Sequence, residues 1–413
     1  MSNFLWGVAS SAFQIEGHVK NDMTQWEEEG RFKKEGKNPI YGLGANHWQL
    51  WEQDFNLLKE LNVNAYRFSV EWARIEPEPG VFDEKAIRQY DKMINRLLEL
   101  NITPMLTLHH FTHPLWFHSY SPWISKDAIH VYYRFAKKII RRFSEKVPYW
   151  ISFNEPLVWS LAAYGDGQFP PGEKDPQLFM QALHNMLEAH NEVYLLLKSY
   201  NPYAQMGIAK HFIIFKEHRS WFLPDKGVAN RLNIFFNQLL PQAFLSNRLQ
   251  FRFWPFLNYN KEIPLNNNID FWGINYYYRL HTRFRFNLKQ PVKLLHKNPQ
   301  TDMGWEIYPK GLKKIIGMLE NTNKNIFITE NGIATNDEGL RETFLKNHIS
   351  VVKNALQRNN KIKGYFYWSF LDNYEWLEGL SKRFGLVYVD YDNHYKRTLK
   401  RSAQLFADLR IFE

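Results

Sequence analysis

The 413-residue sequence has no cysteine. That absence rules out a disulfide framework and a thiolate metal site, and nothing marks an oxidising compartment. No apolar run approaches the ~18 residues a membrane span needs. Met1 to Gly7 carries no basic segment leading into a long apolar stretch, so neither a signal peptide nor an anchor is expected and a cytoplasmic setting is. The glycine-rich signatures GxGxxG and GxxxxGK[ST] are missing, and the nucleotide-binding readings of α/β proteins go with them. There is no internal repeat beyond a βα alternation, no low-complexity tract and no Pro/Ser-rich linker, so one domain over 1–413 is expected.

What is present is an ordinary globular balance, 45% hydrophobic and 23% charged, which excludes disordered and fibrous classes. The net charge of +10 raises the question of a nucleic-acid partner. Lys137, Lys138, Arg141 and Arg142, however, interrupt apolar residues at helical spacing, as the solvated face of an amphipathic helix does. Neither a nucleic-acid nor a membrane partner is expected, and the oligomeric state is left open. A second basic stretch, Arg279 to Lys297, alternates Arg283, Arg285 and Lys289 with Phe284 and Phe286. Aromatic residues reach 17%, enough to fill a large core and still offer ring faces to a ligand.

Short β-branched and aromatic runs separated by longer amphipathic stretches imply βα units around a parallel sheet. The strand candidates are 4–10, 65–72, 103–110, 149–156, 205–212, 270–277, 325–332 and 364–370. Helical spacing recurs at Ile87, Tyr90, Ile94 and Leu97, at Leu345, Ile349, Val352 and Leu356, and over 47–62, 126–146, 177–200, 309–322 and 398–410, with Ser125 placed as an N-cap. Eight strands interleaved with helices predict an α/β fold, a single (β/α)8 TIM barrel, with an active site at the C-terminal ends of the strands.

A barrel strand buried on both faces should be apolar, so polar residues at its C-terminal end mark the mouth. Such residues follow strand one (Gln14, Glu16), sit in strand two (Arg67) and end strands three (His109, His110), four (Asn154, Glu155), six (Asn275, Tyr276, Tyr277) and seven (Thr329, Glu330, Asn331). Strand eight leads to Asp372, Asn373 and Glu375. One glutamate at a strand end is ordinarily solvated or salt-bridged, whereas seven coincident cases point to a site. Two carboxylates on different strands are what glycosidic bond cleavage uses, one as acid and one as nucleophile or base. HxH is absent at the strand ends, and His109 and His110, as neighbours on a strand, point oppositely. No metal or other cofactor is therefore expected.

The segments FLWGVASSAFQIEG, NAYRFSVEWARIEP, TLHHFTHPLWF, SFNEP, DFWGINYYYR, MGWEIYPKGL, ITENG and DNYEWLEGLSKRFGLVYVDY resemble glycoside hydrolase family 1, in order and over nearly the whole chain. The resemblance implies a retaining β-glycosidase acting on terminal β-D-glucosyl, and also galactosyl or fucosyl, residues of small β-glycosides or oligosaccharides. By matching motif, Glu155 is the acid/base, with a pKa expected to be raised. Glu330 is the nucleophile, kept ionised by Arg67. Tyr277 donates to the nucleophile, Asn154 binds the 2-hydroxyl and Asn275 supports this group. Gln14, His110, Glu375 and Trp376 bind the remaining hydroxyls, Trp368 is a stacking floor, Phe384 lies near the C6 arm and Trp305 borders the leaving group. An ionised Glu375 would repel a 6-phosphate, which disfavours the alternative of a 6-phospho-β-glycosidase. The presence of both carboxylates disfavours a non-catalytic sugar-binding barrel. Phe111 and Leu157 depart from the pattern, each standing where a tryptophan is common.

Overall fold

The computed structural model describes residues 4–32, 41–120, 122–253, 257–286, 292–358 and 361–411. Eight strands form the barrel: β1 (Leu5–Ala9), β2 (Ala65–Ser69), β3 (Thr103–His109), β4 (Tyr149–Asn154), β5 (Gln205–Glu217), β6 (Phe271–Phe284), β7 (Asn325–Asn331) and β8 (Ile362–Trp368). Each pairs in parallel with the next, β8 pairs with β1, and β6 pairs with β7, so the sheet closes on itself.

Closure follows from a period of two with both faces buried. In β1, Leu5 and Ala9 join an inner cluster with Ala65, Met105, Ile151, Ala209, Phe271, Phe327 and Phe366, while Trp6 and Val8 point outward into the larger core under the helices. Gly332, just past β7, is required by close approach: a Cβ there would stand 1.6 Å from the Trp368 carbonyl oxygen.

The helices begin where their caps dictate. Asp83, Asp175 and Asp337 accept backbone N–H groups at the starts of Glu84–Glu99, Pro176–Tyr200 and Glu338–Leu356, each worth about 1 kcal/mol. Ser125 is not the N-cap of Asp127–Phe143; Lys126 takes that place, and the Ser125 hydroxyl accepts from the Asp127 N–H instead.

One further bound is corrected, and two hairpins add to the expected elements. β2 stops at Ser69, and Trp72 opens a short helix, Trp72–Ile75. An antiparallel hairpin of Arg248–Phe253 with Leu257–Glu262 was not anticipated. The basic stretch continues the strand: β6 runs on to Phe284 and its end pairs antiparallel with Val292–Leu295. Lys289 lies outside the described residues. No helix among the described residues is long and apolar enough to cross a membrane.

Candidate active site

The C-terminal ends of the strands open onto a cavity of about 550 Å³. Of the residues expected there, Gln14, His110, Asn154, Glu155, Tyr277, Trp305, Glu330, Trp368, Glu375, Trp376 and Phe384 line it, with Arg67 and Asn275 beneath. Glu16 and Asp372 turn away: Glu16 pairs with Arg74, and Asp372 with Lys400. His109 and His110 point oppositely, His109 into the aromatic packing around Trp123 and His110 into the cavity.

Arg67, fully buried, donates from one terminal nitrogen to Glu330 Oε1 at 2.5 Å and to the Thr329 carbonyl at 3.0 Å, and from the other to Asn154 Oδ1 at 2.7 Å. The Tyr277 hydroxyl donates to Glu330 Oε2 at 2.5 Å, so both Glu330 oxygens are held. The Asn275 amide donates to Asn154 Oδ1 at 3.0 Å and to Glu155 Oε1 at 2.7 Å, and its own oxygen accepts from Thr329. Because Asn154 Oδ1 accepts twice, its amide must donate to His110 Nε2, 3.1 Å away. Burial and the Arg67 charge hold His110 neutral, far below the usual histidine range. Its Nδ1–H is buried without a protein partner among the described residues and is free to donate to a sugar hydroxyl. Glu155 itself takes φ 46°, a left-handed conformation costly for a non-glycine residue and typical of strain held at functional positions.

Burial raises both carboxyls. For Glu155, His211 and Asn275 more than offset it, and the group falls below its usual value. For Glu330, burial and the Glu155 charge outweigh Arg67 and Tyr277, and the group rises. Both directions are opposite to those expected from the sequence. The reversal depends on His211 being charged, since the attraction of an imidazolium is the largest influence lowering Glu155. A neutral His211 would remove that attraction from Glu155, while Glu330 would keep its guanidinium and phenol. Glu375 is pushed up to about 8 by burial and by Glu330 and Glu155. That shift favours its neutral form, which weakens repulsion by Glu375 as a ground for excluding a phosphate.

The pocket walls supply a better reason for that exclusion: among the described residues no lysine or arginine lines the cavity, and Asp166 and Glu378 add to its carboxyl groups. The two sides differ in kind. Gln14, His110 and Glu375 surround a polar floor between Trp368 and Trp376, while Val158, Leu161, Ile213, Phe236, Leu280 and Leu294 build an apolar wall toward the mouth. Trp305 packs on Tyr278 at 4.7 Å and stands near Phe384 at 6.1 Å. Phe111 lines the floor against Trp376, whereas Leu157 is buried and does not reach the cavity.

Sequence reasoning missed His211, whose Nδ1 lies 3.3 Å from Glu155 Oε1. The signal was Lys210-His211 between the apolar runs 206–209 and 212–215 of β5. The hairpin after β6 reaches the cavity through Leu280 and Leu294, while Arg283 and Arg285 are not among its lining residues.

Among the described residues, Asp22, His113 and His118 have the spacing of metal ligands. Their protons are already committed. The Trp123 indole N–H donates to His113 Nε2 at 2.8 Å, so Nδ1 carries the proton and donates to Asp22 at 2.9 Å. A metal at Nδ1 would need the opposite tautomer.

The glycosyl hydrolase family 1 model matches residues 1–411. A 1,4-beta-D-glucan glucohydrolase of Thermotoga neapolitana is 34% identical over 431 aligned positions, covering 98% of this chain and 97% of the relative. The structure of a beta-glycosidase from Pyrococcus horikoshii superposes with a TM-score of 0.90 at 34% identity, over 98% of this chain and 93% of that one. A beta-glucosidase from Thermotoga maritima in complex with noeuromycin superposes with a TM-score of 0.89 at 30% identity, over 98% and 97%. A closed eight-stranded barrel, two facing glutamates at its strand ends and a family match over nearly every residue agree: the chain belongs to glycosyl hydrolase family 1.

Proposed function

We propose that this chain is a retaining β-glucosidase acting on neutral, unphosphorylated β-glucosides whose leaving group is apolar, an aryl or alkyl aglycone. The observation that carries the reading is the grip on Glu330. A buried guanidinium and a phenol hold its two oxygens, leaving an oriented carboxylate facing a second glutamate across the cavity.

In the first step Glu330 bonds to the anomeric carbon while the proton of Glu155 passes to the departing oxygen. In the second, water attacks that carbon, its proton goes to Glu155, and the electron pair of the ester bond returns to Glu330. Asn154, fixed by Arg67, Asn275 and His110, is placed beside the nucleophile to bind the 2-hydroxyl, where contacts strengthen as positive charge develops. Gln14, His110, Glu375 and Trp376 bind the other hydroxyls, Trp368 carries the ring face and Phe384 closes the C6 side. Trp305 and the apolar wall receive the aglycone.

The test is turnover of aryl β-glucoside, β-galactoside, β-fucoside and 6-phospho-β-glucoside side by side, with proton NMR of the first sugar released. The expected result is preference for the neutral glucoside with the β-anomer first. The α-anomer first, or preference for the phosphorylated substrate, contradicts the reading.

A further inference from the structure

On β5, His211, Ile213 and Phe215 face the cavity at every second residue, and His211 is the polar member of the three. In the closed barrel it pairs with Asn275 of β6, and the two side chains converge on one atom. Asn275 donates to Glu155 Oε1 at 2.7 Å, and His211 Nδ1 lies 3.3 Å from the same oxygen. That nitrogen is buried and makes no aligned hydrogen bond. The ring is held against the phenols of Tyr277 and Tyr278, with centroids 5.9 and 5.7 Å away. Glu155 Oε2 accepts no hydrogen bond from the described residues and is left for the leaving oxygen.

We propose that Glu155 Oε1 and His211 Nδ1 share one proton, so that His211 is a positioning residue which keeps the acid/base loaded. The proposal rests on the acid/base reading of Glu155 above. Two sites holding one proton release it at a higher pH than either alone, because the titration belongs to the pair. The pair carries the same charge whichever atom holds the proton.

Of the other charged or titratable groups around the ring, Lys210 also senses Glu155: burial pushes it down to about 7 and the Glu155 charge pulls it up. Glu330 and Arg67 engage each other, and Tyr277 and Tyr278 are raised by burial and stay protonated. Lys210, on the same strand, turns outward and donates to the carbonyls of His211 and Phe236. His296 meets Tyr278 edge-on, and Asp166 and Glu375 sit on the cavity wall. When the glycosidic bond breaks, the shared proton leaves on the aglycone oxygen and the pair becomes carboxylate and neutral imidazole. The proton taken from the attacking water restores it.

His211→Asn should move the alkaline limb of kcat/KM for an alkyl β-glucoside to lower pH by about half a unit or more. The profile for dinitrophenyl β-glucoside, whose leaving group needs no proton, should stay in place. A purely structural role would alter kcat or KM and leave the limb where it was. An unmoved limb, or equal movement on both substrates, overturns the proposal. A readout independent of turnover is the 13C titration of the Glu155 carboxyl in a Glu330→Gln background. It should show two steps with His211 and one step in the His211→Asn and His211→Gln variants; one step in all of them overturns the proposal. If Glu155→Ala loses equally on both substrates, it is the acid/base reading that fails; if Glu155→Ala discriminates and His211→Asn does not, this proposal alone falls.

Discussion

The two halves of the cavity are built on opposite principles. Around the sugar-side floor nearly every polar atom is fixed by another: Glu330 by Arg67 and Tyr277, Asn154 by three neighbours, Gln14 by Ser11, Asn373 and the Tyr374 carbonyl. Toward the mouth the wall is apolar, drawn from the helix Pro156–Ser160 and the turn after it, the far end of β5, the helical turn Ile234–Gln238 and the hairpin after β6. A network in which each member holds the next rigidifies and discriminates sharply, because a mismatched ligand leaves buried groups unpaired. An apolar wall discriminates weakly, at about 0.8 kcal/mol per buried methylene. The sugar should therefore be read strictly and the aglycone loosely.

Breaking the polar half should have the largest effect. Glu330→Ala removes the attacking group, and turnover should fall by roughly ten-thousand-fold or more on every substrate, measured against a folded control by circular dichroism. Breaking the apolar half should cost far less and select among substrates. Leu294→Gln or Leu161→Gln should lower kcat/KM for octyl β-glucoside by about 10-fold, on the order of 1 kcal/mol, and barely change it for methyl β-glucoside. Equal losses on the two would show that the wall does not meet the aglycone. The smallest effect is expected from the hairpin's charges. Arg283 is exposed and Arg285 is not among the cavity-lining residues, and exposed charges are screened over about 8–10 Å at ordinary salt. Arg283→Ala with Arg285→Ala should change kcat/KM for a carboxylated aryl glucoside and its neutral analogue equally, within about twofold. A selective, salt-sensitive loss on the anionic substrate would give the charges a role in selection.

The same contrast explains what could be read without coordinates. All eight barrel strands were legible, because burial on both faces leaves a local signature of short apolar runs ending in polar residues. Asn154-Glu155, Thr329-Glu330 and Arg67 could be placed at one mouth for that reason. The apolar wall was not legible: Val158, Leu161 and Leu294 look like any core residue until closure of the barrel and the pairing of 281–284 with 292–295 bring them to the opening. His211 was passed over because its meaning lies in β5 standing next to β6, a long-range pairing. The opposite directions in which the two glutamates are pushed were not legible for the same reason, since the first influence lowering Glu155 comes from that histidine.

The central claim is the division of labour between Glu155 and Glu330. It is tested most directly by adding azide to Glu155→Ala and Glu330→Ala with dinitrophenyl β-glucoside and determining the configuration of the glucosyl azide formed. In Glu155→Ala the glucosyl ester still forms, and azide attacks it to give the β-azide. In Glu330→Ala azide takes the place of the missing carboxylate and gives the α-azide. The β-azide from Glu330→Ala, or the α-azide from Glu155→Ala, would contradict the assignment.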